Sequence, residues 1–129
     1  MREIFYIRLP SGVSSGDLAE APVDYGAAPT EGTALIDAQR APLSQALDHA
    51  GSRRIVLIVP AADVRLASVS VPARQPAKVL AAAPYQLEDQ LADDVETLHF
   101  AIGARQSDGS NPVAVVGRRQ MDRWLAPLL

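Results

Sequence analysis

The sequence predicts an α/β domain, a mixed sheet with flanking helices. Three observations carry this. First, short runs rich in Ile, Val, Leu, Phe and Tyr recur along the chain, at EIFYIRL, RIVLIV, LHFAI and PVAVV. Pro, Gly or Ser punctuates them, as it does strands. Second, segments with helical apolar spacing stand between these runs. Third, the order is strands, helix, two strands, helix, two strands, helix, so the two kinds of element are interleaved. The 129 residues suffice for one ordinary domain. With 48% hydrophobic residues and only 5% aromatic ones, its core should be aliphatic.

Taken in order, Glu3–Leu9 is a strand of β-formers, and Pro10–Gly16 is a turn region. Val23–Tyr25 and Thr33–Ile36 are short strands on either side of the loop GAAPTEG. Pro42–Ala50 is a short helix, with Pro42 in its first turn, Leu43, Ala46, Leu47 and Ala50 on one face, and Gly51 as its stop. Arg54–Val59 is apolar after its first residue, which predicts a central strand buried on both faces. Val64–Val71 alternates, but its apolar set Val64, Leu66, Val69, Val71 changes parity, so a bulge is expected near Ala67. Pro72–Pro76 turns into a helix of high intrinsic propensity over Ala77–Ala83. Pro84 should kink or break it. Leu98–Ile102 and Pro112–Val116 flank the turn-rich QSDGSN and form a hairpin, and Arg118–Leu125 is a last helix. Trp124, Met121, Leu125 and Leu128 should form the apolar face of that end of the chain.

Composition narrows the function. A formal net charge of −3 and a single Lys, Lys78, argue against nucleic acid, which calls for a basic stripe. With no Cys there are neither disulfides nor thiolate metal sites. No apolar run approaches the roughly 20 residues needed to span a bilayer. MREIFYIRLP is too short and too charged for a secretory signal. A soluble, cytoplasmic piece is therefore expected. The abrupt apolar ending, RRQMDRWLAPLL, points to a fragment of something longer.

The densest chemistry lies in Pro84–Gly103, where Glu88, Asp89, Asp93, Asp94 and Glu96 place five carboxylates in nine residues. On a continuous helix over Leu87–Val95, Leu87, Leu91 and Val95 form one apolar stripe. Asp89, Asp93 and Glu96 then fall opposite, Glu88 on a flank and Asp94 near the apolar edge. This predicts an amphipathic helix with a solvated acidic face. A metal site is disfavoured, because hard cations prefer several oxygens from an irregular loop and no EF-hand pattern is present. A glycosidase-like pair needs two carboxylates in unlike environments across a cleft. Asp89 and Asp93 repel each other at i,i+4 with little basic compensation nearby, a cost that a basic partner covering the face would offset.

Elsewhere the chemistry is sparse. There is no G-x-S-x-G elbow, and His49 and His99 have no evident catalytic partner beyond the closeness of Asp94 to His99 in sequence. PSGVSSGD, Pro10–Asp17, offers backbone N–H groups but lacks the phosphate-binding pattern. Neither a cofactor nor a metal is expected.

The segment RIVLIVPAADVRLASVSVPARQPAKVLAAAPYQLEDQLADDVETLHFAIG, followed by PVAVVGRRQMDRWL, resembles the cytoplasmic domain of type II secretion system protein L, the GspL-type component of an inner-membrane assembly platform. The most specific stretch is PYQLEDQLADDVETLHFA, Pro84–Ala101, and the likeness covers roughly residues 54–125. It implies an actin-like fold of RNase H-like subdomains, of which residues 1–129 would be the N-terminal fragment, without the transmembrane and periplasmic parts. It further implies a non-catalytic scaffold on the cytoplasmic side of the inner membrane, recruiting the secretion ATPase, protein E, through that enzyme's N-terminal domain. Protein M is another implied partner, and homodimerisation is left open. The alternative is an actin-like nucleotide binder or ATPase. Against it, the turn after the first strand has Arg8-Leu9-Pro10-Ser11 where an Asp-Gly pair would be expected. For docking, the five carboxylates Glu88, Asp89, Asp93, Asp94 and Glu96 are the candidate surface, with a sheet edge of the Leu98–Val116 hairpin as an equal candidate.

Overall fold

The computed structural model describes residues 3–12, 18–29 and 36–129. Two compact units account for them, one of residues 1–60 together with Trp124–Leu129, the other Ala61–Arg123.

In the first unit, β1 (Glu3–Arg8), β2 (Pro22–Pro29), β3 (Ile36–Pro42) and β4 (Arg54–Ile58) form a mixed sheet in the order β3-β2-β1-β4. β1 and β2 pair antiparallel, as do β2 and β3, whereas β4 runs parallel to β1. Only Ile36 of the expected strand Thr33–Ile36 is described, and it opens β3. The loop expected over GAAPTEG begins later than foreseen, because Gly26 to Pro29 continue β2. Most of the glycine-bearing turn Pro10–Asp17 lies outside the described residues.

β4 is not the central strand its composition suggested. It is an edge strand, with Ile55, Val56 and Leu57 half-buried and Ile58 exposed. The unbroken aliphatic run does mark parallel pairing, but here that pairing exists on one side only.

α1 (Leu43–Ala50) follows Pro42, whose missing N–H costs nothing at a helix start. Leu43, Ala46 and Ala50 are buried. The helix ends at Gly51, which takes φ +60°. Arg53 then donates from Nε to the Ala50 carbonyl (3.1 Å) and from Nη2 to that of His49 (2.6 Å), satisfying two end groups of the helix. Its guanidinium lies over Phe5, 4.9 Å from the ring centroid. Phe5 stacks on Tyr25, and Tyr25 on His49.

In the second unit, β5 (Arg65–Val69), β6 (Leu98–Ile102) and β7 (Asn111–Gly117) form an antiparallel sheet in the order β5-β7-β6. The expected hairpin is therefore β6–β7, with β7 in the middle. No bulge interrupts β5, which pairs with β7 residue for residue from Arg65↔Val115 to Val69↔Asn111. The parity change is resolved by turning Leu66 outward, 80% exposed, so that Ala67, Val69 and Val71 face the core.

α2 (Pro76–Leu87) starts with Pro76 in its first turn and runs on past Pro84. The proline does not break it, because Val79, Ala83 and Leu87 form a buried stripe against Val69, Val71, Leu98, Val113 and Val115. Tertiary packing of that stripe outweighs the hydrogen bond that Pro84 removes. α3 spans Arg118–Leu125 as expected. Trp124 is buried, but Leu125 is exposed, so the predicted apolar face is only partly realised.

Candidate partner-binding site

The acidic segment is not the continuous amphipathic helix that its periodicity suggested. α2 stops at Leu87, a single 3-10 turn covers Glu88–Gln90, and Leu91 is already extended at φ −106°, ψ 138°. Asp94 is extended too, and a second 3-10 turn spans Val95–Thr97 before β6 begins. The physical reasons are local. Carboxylates just past a helix C-terminus oppose the negative end of its dipole. Asp is a poor helix former, and on a longer helix Asp89 and Asp93 would repel at i,i+4.

The segment is nevertheless held in place. Leu87 is 1% exposed and fixes its start in the core. Gln86 Nε2 donates to the Ser70 carbonyl at 2.9 Å, tying the last turn of α2 to the chain after β5. Thr97 donates to the Asp94 carbonyl from its backbone N–H (2.9 Å) and from its hydroxyl (2.7 Å). Leu91 and Val95 are half-buried, and Leu91 packs against the core cluster.

All five carboxylates are exposed, and among the described residues none of them takes part in an ion pair. Asp94 and His99 are both exposed, with no hydrogen bond or ion pair between them. No group of three His, Asp or Glu side chains able to hold a metal occurs among the described residues.

What the linear sequence hid is the company this segment keeps. The pairings β5–β7 and β6–β7 bring Asp63 and Arg65 to the same place, some 30 positions back in the chain. Together they surround an open hollow of about 460 Å³ whose lining includes Asp63, Arg65, Asp93, Leu91, Leu98 and Val116. Leu98 and Val116 are buried, whereas the three charged residues are exposed. Asp63 Oδ2 accepts from Gln120 Nε2 at 3.5 Å. Only the pairing of β5 and β6 with β7 could have signalled this neighbourhood; the strand over Val64–Val71 is expected from the sequence, but not its partner.

On the sheet face away from α2, Leu66 borders a shallow apolar groove of about 280 Å³ over Ala101, Pro112 and Ala114. Among the described residues, the free sheet edges of this unit are β5 and β6, since β7 is paired on both sides.

The family model described as type II secretion system protein L matches residues 18–129. The chain is 41% identical over 70 residues to type II secretion system protein L of Pectobacterium carotovorum subsp. carotovorum, covering 54% of this chain and 16% of that protein. It is 34% identical over 90 residues to the protein of the same description from Pseudomonas aeruginosa, covering 70% and 23%. Among solved structures, it is similar to the cytoplasmic domain of EpsL, an inner-membrane component of the type II secretion system of Vibrio cholerae, with a TM-score of 0.69 at 27% identity. That likeness takes in 98% of this chain and 52% of the other. The fold is thus the mixed α/β, actin-like one expected. The matches span about half of that solved domain and less than a quarter of these curated relatives.

Proposed function

Because the chain belongs to the type II secretion system protein L family, we propose that it is a non-catalytic scaffold and recruits the secretion ATPase, protein E, by binding that enzyme's N-terminal domain. It does so as the N-terminal fragment of the cytoplasmic domain, on the cytoplasmic side of the inner membrane. Protein M is a further partner in the same platform. The docking surface is the acidic segment, with Glu88, Asp89, Asp93, Asp94 and Glu96 facing a basic surface of the ATPase domain.

One observation carries the choice of surface. Five carboxylates are fixed to the core through Leu87 and Leu91, yet none is neutralised within the described part of the chain. Unpaired like charges on a well-anchored segment suit electrostatic complementarity with a partner, which sets specificity and on-rate. Among the described residues no helix is long and apolar enough to cross a membrane.

The test is a calorimetric titration of this chain with the N-terminal domain of its cognate secretion ATPase. Saturable one-to-one binding, weakened by added salt, is the expected result. No heat of binding from a folded chain would refute docking within these residues.

A further inference from the structure

The hollow at Asp63, Arg65 and Asp93 is continuous with the acidic segment, because Leu91, Ala92 and Asp93 belong to both. Its volume of about 460 Å³ lies within the range of about 300–1,000 Å³ that small-ligand clefts occupy. Its chemistry has two parts. Leu91, Leu98 and Val116 offer aliphatic surface. Asp63 and Asp93 offer two carboxylates without an ion pair, against the single guanidinium of Arg65. Glu88, Asp89, Asp94 and Glu96 lie on either side of Leu91–Asp93 in the chain and are likewise acidic.

We propose that this hollow anchors an arginine side chain presented by a basic protein partner. The proposal rests on the docking role above and specifies the residue type that would seat there. Arginine satisfies both halves of the lining. Its aliphatic stem packs on Leu91, Leu98 and Val116, and its planar fork reaches carboxylates with paired hydrogen bonds. Lysine fits less well, because an ammonium is a compact, strongly hydrated point charge without a fork. A purely apolar side chain would cover the aliphatic surface but leave Asp63 and Asp93 without compensation as they lose water. Arg65 sits on the same lining and supplies repulsion, so both carboxylates are needed to hold a second guanidinium.

The test uses Nα-acetyl-arginine amide as the probe, titrated into the isotopically labelled chain and followed by amide chemical shifts. The leucine and lysine analogues serve as comparisons. Saturable shifts confined to Val64, Arg65, Leu91, Ala92, Val116 and Gly117 are expected, with a midpoint in the millimolar range for so small a probe. The double variant Asp63→Asn, Asp93→Asn should weaken the probe about tenfold or more, since a charge-assisted hydrogen bond is worth roughly that factor. Both positions are exposed and Asn keeps an acceptor for Gln120, so the variant should fold as the parent does. Scattered shifts, equal shifts with the leucine analogue, or an unchanged midpoint in the variant would overturn the proposal. So would full affinity of the variant for an ATPase domain that binds the parent. If that domain fails to bind the parent at all, the docking role falls, and the probe titration alone judges the arginine site.

Discussion

Leu87 and Leu66 were both assigned to the core by sequence pattern, and the structure separates them, one 1% and the other 80% exposed. Replacing each by Ala turns that separation into a measurement. Leu87→Ala removes about three carbons at roughly 0.8 kcal/mol each, near 2.4 kcal/mol of transfer free energy. Any cavity left among Val79, Ala83 and Leu98 adds to this, and buried Leu→Ala changes span about 2–5 kcal/mol. Leu87 ends its helix beside a 3-10 turn, so the site can partly collapse, and about 2.5–3.5 kcal/mol is expected. Leu66→Ala should stay within about 0.5 kcal/mol, as exposed substitutions do. Urea unfolding followed by far-UV circular dichroism reads both, provided the two slopes match that of the parent. A loss below about 1 kcal/mol for Leu87→Ala, or one above it for Leu66→Ala, would refute the assignment of the two faces of β5 and the seating of α2.

Asp24 accepts from Arg8 Nε at 3.1 Å and from Arg40 Nη1 at 3.2 Å, in one row across β1, β2 and β3. The Arg8 hydrogen bond, aided by the charges of Arg8 and Arg40 and opposed by desolvation, holds its carboxyl below the usual carboxylate value. Its contribution to stability is therefore present above that usual value and lost as pH falls through the lowered one; Asp24→Asn should flatten the acid limb of a stability–pH curve, and an unchanged limb would discount the row. A Cβ on Gly103 would stand 2.7 Å from Pro112 Cγ, so Gly103→Ala should cost about 1–3 kcal/mol in thermal unfolding, and a neutral result would show that the β6–β7 hairpin yields there. Asp89→Lys with Asp93→Lys should lower affinity for the ATPase domain at least tenfold in the calorimetric titration, while unchanged affinity of a folded variant would exclude that face from docking.

Most elements could be read from the chain because local signals agreed with one another. Pro42 and Gly51 bracket α1, Pro76 starts α2, and the turn residues between Ile102 and Asn111 join β6 to β7. The misreadings have one cause, namely that a periodicity states which side chains share a face and says nothing of what covers it. β4 has the composition of an interior strand and lies at an edge. Leu66 has the composition of core and faces outward. Of the stripe Leu87, Leu91, Val95, the first is buried and the second packs on the core while Val95 is half-buried, along a chain that is helical only at its beginning. The acidic residues were legible as a group. Their neighbours Asp63 and Arg65 were not, since only sheet pairing brings them near.

The charges around α2 run against its dipole at both ends. Arg74 and Lys78 stand at the positive N-terminal end, and Glu88 and Asp89 follow directly on the negative C-terminal end. Each such placement disfavours the helix by about 0.3–1 kcal/mol at low ionic strength. Exchanging the signs would be the simplest way to stabilise the unit, so the arrangement is costly where neutrality was available. The same carboxylates precede, by a few residues in the chain, the stretch Leu91–Asp93 that lines a hollow with an aliphatic surface and two aspartates in no ion pair among the described residues. A helix that merely covered the sheet would have no use for this polarity, whereas a docking element gains from it. The two effects separate cleanly, because Asp89→Lys relieves the dipole conflict whatever the partner does. A variant that melts higher and binds less well is the signature of a charge kept for recognition. One that melts higher and binds as before would leave the acidic segment as nothing more than a solvated turn.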